Sequence, residues 1–395
     1  MMKIAFVSDA VFPWHVGGLE AVELAEAKAL ANSRDYEVHF FCMRWPGMPA
    51  GEFRSNNITY HPFWDTRVDK FYRHGRRSIR TSVWFSISMA RIYLYRFDFV
   101  YANMFPILHV PLLKLYCKLT RCELILDVVE VWENSYWTKY LGGVLGRLAY
   151  AYASYFLDSA NAFVANSSIT MKGLLREGIN KERIRVFAPI LEDRRLLAIK
   201  SKAKVKPRVI YYGRLIKEKR FDKWLDAIRE VHARVPRAKG LIIGTGPERA
   251  HIARMIKEKG LSGVVELRPF YENRTRLFRE VADSSTMLLM SEREGLSVSA
   301  LEALSLGVPV VLPDYSPVPD EVKSMCVVSG ERGVAAKIES ILKSRNKETF
   351  IYRKENLKPF SSSSIAPFFA SLFRDVWVAY GRGDKLREHR SILPK

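Results

Sequence analysis

Cysteine is scarce in this chain, with four in 395 residues: Cys42, Cys117, Cys122 and Cys326. No two stand in CxxC spacing and no histidine cluster accompanies them. That argues against a disulfide-stapled module or a structural metal site, and a reduced, intracellular protein is expected. Long apolar runs are missing as well. The two longest candidates, Ile107–Leu115 and Leu141–Leu157, are broken by Lys114 and Arg147, short of the roughly 20 apolar residues a spanning helix needs. The opening MMKIAFVSDA does not read as a signal peptide, because its apolar run is short and Asp9 interrupts it. Acid is in deficit: 42 Asp and Glu face 63 Lys and Arg, a net charge of +21 and a pI near 9.8. Such a balance implies an anionic partner, whether nucleic acid, an acidic membrane face or a phosphorylated substrate.

Apolar residues make up 48% of the chain, enough at this length for two cores. Lys3–Val7 reads as a buried strand, followed by a loop carrying Pro13, His15, Gly17 and Gly18. A helix to Ala31 and the strand Glu37–Cys42 complete the opening of a βαβ unit. Strands follow at Phe99–Tyr101, Glu123–Asp127, Ala162–Ala165 and Arg185–Phe187, with a long apolar helix over Gly146–Leu157. The basic, apolar-poor stretch 200–208 is the domain boundary. Beyond it the pattern restarts with five strands, at Val209–Tyr212, Gly240–Ile243, Val264–Leu267, Met287–Met290 and Val310–Leu312. The expected domains are residues 1–199, a linker 200–208, residues 209–360, and a closing segment 361–395 whose helix is Ile365–Tyr380.

Chemistry concentrates in Met287–Pro313. Ser297–Leu306 reads as a helix that opens on serines and stops at Gly307. Its residues are apolar on nearly every side, so Glu302 within it should be buried, and a buried carboxylate requires a hydrogen-bond partner. Glu294 precedes Glu302 with seven residues between, just before a helix N-terminus whose N–H groups suit a phosphate. Arg214 and Lys219, in the loop after Val209–Tyr212, could straddle a diphosphate, the arginine as a fork and the lysine as a point charge. Glu302 could then accept two ribose hydroxyls and Glu294 the hydroxyls of a sugar. Nucleoside, diphosphate and sugar together describe a nucleotide-sugar site.

Two further stretches stand out. Residues 66–96 interleave Arg67, Lys70, Arg73, Arg76, Arg77, Arg80, Arg91 and Arg96 with Phe71, Tyr72, Trp84, Phe85 and Tyr93. This is a solvated face, an interfacial membrane helix or a nucleic-acid groove, and the helical spacing favours the membrane. Asp127 and Glu130 follow a buried strand at its carboxyl end, where doubly wound sheets place chemistry. Of the eight histidines only His15 falls where a substrate would be.

The block EGLSVSALE (294–302) followed by ALSLGVPVV resembles the EX7E motif of retaining GT-B glycosyltransferases, particularly glycosyltransferase family 4. YYGRLIKEKRFDKWLDAI (211–228) is similar to that family's GR…KG…A segment, and LIIGTGPE (241–248) to its GxGP turn. PWHVGG (13–18) resembles its acceptor-side glycine loop, and DVVEVWENS (127–135) a stretch found in members acting on lipid-linked sugars. The resemblance implies an α/β GT-B fold of two Rossmann-like parallel-sheet domains facing a cleft, the C-terminal helix crossing back to the first. It implies a retaining hexosyl transfer without metal or cofactor from a UDP- or GDP-linked sugar to a lipid-linked or surface-glycan acceptor.

Arg214, Lys219 and Glu294 would act in catalysis. Donor binding would use Gly213, Arg214, Lys219, Gly244, Gly246, Glu294, Gly295, Leu296, Ser297, Val298 and Glu302. Gly17, Gly18, His15, Asp127 and Glu130 would lie toward the acceptor or the donor sugar. The expected location is cytoplasmic, at the inner membrane face, through residues 66–96, with no nucleic-acid partner. The rival readings are a nucleotide-sugar-binding regulatory protein without turnover and a basic nucleic-acid-binding protein. A histidine common in relatives near 129–130 is replaced here by Glu130, and relatives' glycine after Val265–Leu267 by Pro269.

Overall fold

Apolar strand-forming runs alternate with helices along the chain, and backbone contacts group them into two units, residues 1–191 with 360–395, and residues 192–359. The computed structural model describes residues 1–15, 18–66, 72–73, 76–189, 196, 199, 206–271, 273–344, 357 and 360–382. Gly17, Arg67, Lys70 and Phe71 lie outside the described residues.

The first unit is built on β1 (Met2–Val7), β2 (Tyr36–Arg44), β3 (Phe53–Ser55) and β4 (Ile58–Asp65). A short ribbon, β5 (Tyr72–Arg73) and β6 (Arg76–Arg77), stands apart, and β7 (Phe99–Asn103), β8 (Glu123–Val128), β9 (Ala162–Ala165) and β10 (Ile184–Val186) complete the set. The sheet runs β10-β9-β8-β7-β1-β2-β4-β3, parallel except for the β3–β4 hairpin. The chain leaves β1 for β2 on one side and later returns to β7 on the other, so the order reverses between β1 and β7. Loops at the carboxyl ends of that pair are where open α/β sheets hold ligands. Its helices are α1 (Gly18–Ala31), α2 (Ile79–Ser88), α3 (Val110–Thr120), α4 (Asn134–Leu141), α5 (Gly143–Leu157) and α6 (Ser168–Arg176).

The second unit contains β11 (Lys206–Tyr212), β12 (Lys239–Ile243), β13 (Val265–Arg268), β14 (Ser284–Leu288), β15 (Val310–Pro313) and β16 (Val327–Ser329). They form an all-parallel sheet ordered β13-β12-β11-β14-β15-β16. Its helices are α7 (Phe221–Arg234), α8 (Arg249–Glu258), α9 (Arg274–Ala282), α10 (Val298–Ser305), α11 (Asp320–Lys323) and α12 (Val334–Lys343). Here the order reverses between β11 and β14, which brings the loops carrying Arg214 and Glu294 to one edge. The closing helix, α13 (Ile365–Ala379), packs within the first unit. Phe369 lies 5.1 Å from Tyr101, Phe373 4.3 Å from Phe99, and Phe368 stacks on Phe187 at 3.8 Å.

Several expectations need correction. The second sheet has six strands and not five, because β16 is too short and too half-buried for its periodicity to show. β14 starts three residues before Met287: its first residues, Ser284 to Thr286, are polar yet buried, which hid them from an apolar-run reading. The β3–β4 hairpin adds strands to the expected set, and its Asn56 and Asn57 both take the positive φ that a two-residue turn demands. Among the described residues of the basic stretch 66–96, only Ile79–Ser88 is α-helix, preceded by the β5–β6 ribbon. The apolar helix begins at Gly143, three residues earlier than expected.

Candidate functional site

Two consecutive tyrosines at the end of β11 organise the second unit's site, since successive strand residues face opposite ways. Tyr212 is buried, and its hydroxyl donates to Glu302 Oε2 at 2.8 Å while lying 2.9 Å from the Ser299 carbonyl. Burial, then the charge of Glu302, pushes that hydroxyl's pKa well above its ordinary value. Tyr211 turns the other way, and its hydroxyl donates to the Arg214 carbonyl at 3.0 Å. Burial raises its pKa too, and the charge of Glu294 adds to the effect.

Glu302 is 3% exposed on α10, among Ala300, Leu301, Ala303 and Leu304, all buried. Its Oε1 accepts from the guanidinium of Arg274, the first residue of α9, which also rests 4.7 Å over the Phe278 ring. The buried carboxylate thus has a cation on one oxygen and a phenol on the other. Neither Tyr212 nor Arg274 was assigned from sequence. Arg274 lies 28 positions upstream in a polar stretch, and only the fold brings it to Glu302.

Glu294 is held separately. Lys219 Nζ lies 2.6 Å from its Oε1, with side chains 15% and 8% exposed. The Glu292 N–H donates to the Glu218 carbonyl at 2.9 Å, so the two loops are tied by backbone as well. Arg214 is exposed beside them. Ser297 occupies the helix N-cap, but in the left-handed region with φ 60° and without a side-chain cap bond. Gly295 is half-buried, Leu296 buried and Val298 half-buried around that start.

The GTGP turn braces the cationic loop. A Cβ at Gly244 would sit 2.1 Å from the Gly213 carbonyl oxygen, and one at Gly246 2.2 Å from that of Leu215. Backbone bonds from Leu215 N–H to Thr245 and from Glu248 N–H to Leu215 hold the approach. Only glycine permits it, so these positions shape the loop bearing Arg214.

In the first unit, Asp127, next to last in β8 and 6% exposed, joins Glu23 and Glu26 of α1, each 2% exposed. Asn103 donates to Glu23 at 2.8 Å, Ser8 also hydrogen-bonds Glu23, and the Tyr101 hydroxyl hydrogen-bonds Glu26. Burial raises the pKa of all three acids, Asp127 to about 7, and the charge of Asp127 further raises both glutamates. Glu130 instead accepts from Trp132 Nε1 at 2.9 Å, and His15 pairs with Glu20 at 2.9 Å. Gly18 is the first residue of α1.

Known proteins agree with this architecture. The sequence profile described as Glycosyl transferases group 1 matches residues 193–355, and that of Glycosyltransferase Family 4 matches residues 16–192. The chain belongs to the group 1, family 4 glycosyltransferases. It is 26% identical over 176 residues to N-acetyl-alpha-D-glucosaminyl L-malate synthase of Bacillus anthracis, covering 42% of this chain and 45% of that one. It is 27% identical over 158 residues to the putative colanic acid biosynthesis glycosyltransferase WcaL of Escherichia coli K12, covering 38% and 39%. The matches thus span less than half of either curated relative. Sucrose-phosphate synthase of Thermosynechococcus elongatus superposes with a TM-score of 0.73 at 17% identity, covering 96% of this chain and all of that one. HepE of Anabaena, solved with UDP and glucose, gives 0.64 at 16% identity, covering 94% and 99%. These establish the fold as GT-B, with two parallel-sheet Rossmann-like domains.

Removing Arg274 leaves a buried carboxylate without its cation. Arg274→Met should lower the free energy of unfolding by about 1–3 kcal/mol, less than for a fully buried pair because Arg274 is partly exposed. Adding Glu302→Gln should recover part of that loss in urea titrations; additive losses would show that the two residues are not coupled. For Asp127 the folded pKa lies above the unfolded value near ~3.9, so its contribution is fully present at low pH and lost as pH rises through about 7. Wild type should therefore lose thermal stability relative to Asp127→Asn between about pH 4 and 8. A gap independent of pH would contradict the assignment.

Proposed function

We propose that this glycosyltransferase takes a sugar from a nucleotide diphosphate donor, UDP- or GDP-linked, and transfers it with retention of anomeric configuration. The observation that carries the reading is Glu302, a carboxylate buried in an apolar helix and fixed by Tyr212 and Arg274 on the unit that also bears the Lys219–Glu294 pair. A carboxylate so oriented suits the two hydroxyls of a ribose, and cations beside a helix start suit a diphosphate. A diphosphate would compete with Glu294 for the Lys219 ammonium, releasing Glu294 toward the sugar's hydroxyls. Arg214 and Lys219 would then bear the charge that develops on the departing diphosphate, which is where preorganised cations lower a barrier most. In this reading the protein's own cations carry that charge, without a metal.

The acceptor we assign is a lipid-linked or surface-glycan chain met at a membrane face. Support comes from the name of the WcaL relative, and from exposed Arg80, Arg91 and Arg96 beside the outward Ile79, Val83 and Ile87 of the first unit. Each basic residue near an anionic bilayer contributes about 1 kcal/mol, so a few suffice for peripheral docking.

A thermal-shift screen with UDP-, GDP- and ADP-sugars, followed by transfer assays on any donor that binds, tests the reading. Lys219→Ala should weaken the bound nucleoside diphosphate by about 10–100-fold, the loss of one charge-assisted hydrogen bond, while leaving the free nucleoside unchanged. Equal losses for diphosphate and nucleoside would remove Lys219 from the phosphates. Binding without transfer or donor hydrolysis would leave a nucleotide-sugar-binding protein.

A further inference from the structure

We propose that the α4–α5 hairpin inserts into the interface of an anionic bilayer, with the outer face of α5 lying in the boundary between headgroups and acyl chains. The proposal rests on the membrane-face reading above but assigns the contact to residues outside 66–96. Val144, Leu148, Ala151 and Tyr155 follow one another at spacings of four, three and four, so they share one face of the helix. Their seam runs about 16 Å at 1.5 Å per residue. Val144 is 75% exposed, Leu148 63% and Tyr155 77%, with Leu145 at 62% on the flank. The opposite face, Gly146, Ala153 and Leu157, is buried. A surface helix ordinarily turns polar side chains outward; this one turns apolar ones both ways.

The seam is held in place from behind. A Cβ at Gly146 would lie 2.4 Å from the Thr138 Cα, so glycine lets α4 and α5 close on each other. Tyr150 and Ser154 donate to Glu177 just past α6, at 3.1 and 2.9 Å, fixing the inner side of α5 to the sheet's helices. The outward face is therefore a fixed surface.

Charge and aromatic content identify the occupant. Residues 134–157 contain no Asp or Glu, and their two ionic side chains, Lys139 and Arg147, are both exposed. Trp132, Tyr136 and Tyr140 cluster at the α4 side, with Trp132 4.6 and 5.2 Å from the two tyrosines, all three half-buried. Aromatic rings beside cations around an apolar stripe match the headgroup layer of an anionic membrane. The feature is not chain-wide: among the described residues the second unit exposes only Tyr315 and Val328 among its large hydrophobics. No described helix is long and apolar enough to cross a membrane, so the contact is interfacial.

The test is flotation of the full chain with vesicles of phosphatidylcholine, with and without phosphatidylglycerol, at low and high salt. The triple variant Val144→Ser, Leu148→Ser, Tyr155→Ser should lower partitioning onto anionic vesicles by at least about tenfold at either salt concentration. Leu148→Glu alone, at a position already facing water, should act in the same direction while retaining the wild-type unfolding transition. Arg80→Glu with Arg91→Glu should matter only at low salt. If the seam variants float like wild type while the arginine variant does not, the hairpin assignment is overturned and the membrane reading survives. If the wild type does not float at all, both fall. A wild-type dimer that the triple variant converts to monomer would instead assign the seam to a second copy of this chain and overturn the proposal.

Discussion

A carboxylate in an apolar helix is costly to bury without partners, by several kcal/mol even after the surroundings relax. In this protein Glu302 is kept there by two groups from different elements, the Tyr212 hydroxyl at the end of β11 and the Arg274 guanidinium at the start of α9. The consequence is geometric. One side chain ties β11, α9 and α10 together beside the switch in strand order, where the loops bearing Arg214, Lys219 and Glu294 also converge. The loop bearing Arg214 is clasped by the Gly244–Gly246 turn, whose glycines let two backbones meet closer than any side chain would allow. Little of this site rests on side-chain freedom, and that rigidity is what electrostatic preorganisation requires.

Buried acids are held in two ways. Glu302 and Glu294, like Glu123 of the first unit, each have a cation within bonding distance. Glu23, Glu26 and Asp127 instead share a pocket with Asn103 and Tyr101, and burial drives their pKa values upward. Asp127, raised to about 7, is poised near neutrality, where a group is suited to giving or taking a proton. The trio sits at the carboxyl ends of β7 and β8, on the edge where such sheets meet ligands.

How much of this could be read from the chain follows from the range of each interaction. The strand and helix alternation was legible because burial imposes a local period, and Glu302 stood out because its immediate neighbours are apolar. The EX7E block was legible for the same reason, being one continuous segment. Arg274 was not, since a polar residue at a helix start has no local mark of the partner that tertiary folding supplies. Nor was the acid trio. Glu23 and Glu26 are spaced as on a solvated face, yet α1 turns them inward with Leu24, Ala27 and Leu30. The β3–β4 hairpin did carry a signal, Asn56-Asn57, that an apolar-run reading passed over.

What Glu302 grips decides the role of this site. The most direct measurement is calorimetric affinity for UDP and GDP against their 2′,3′-dideoxy analogues, in wild type and in Glu302→Gln. If the carboxylate reads a ribose diol, the wild type should prefer one ribonucleotide over its dideoxy form by about tenfold or more, and the variant should lose most of that preference. Equal affinity for the two forms in the wild type would contradict the claim.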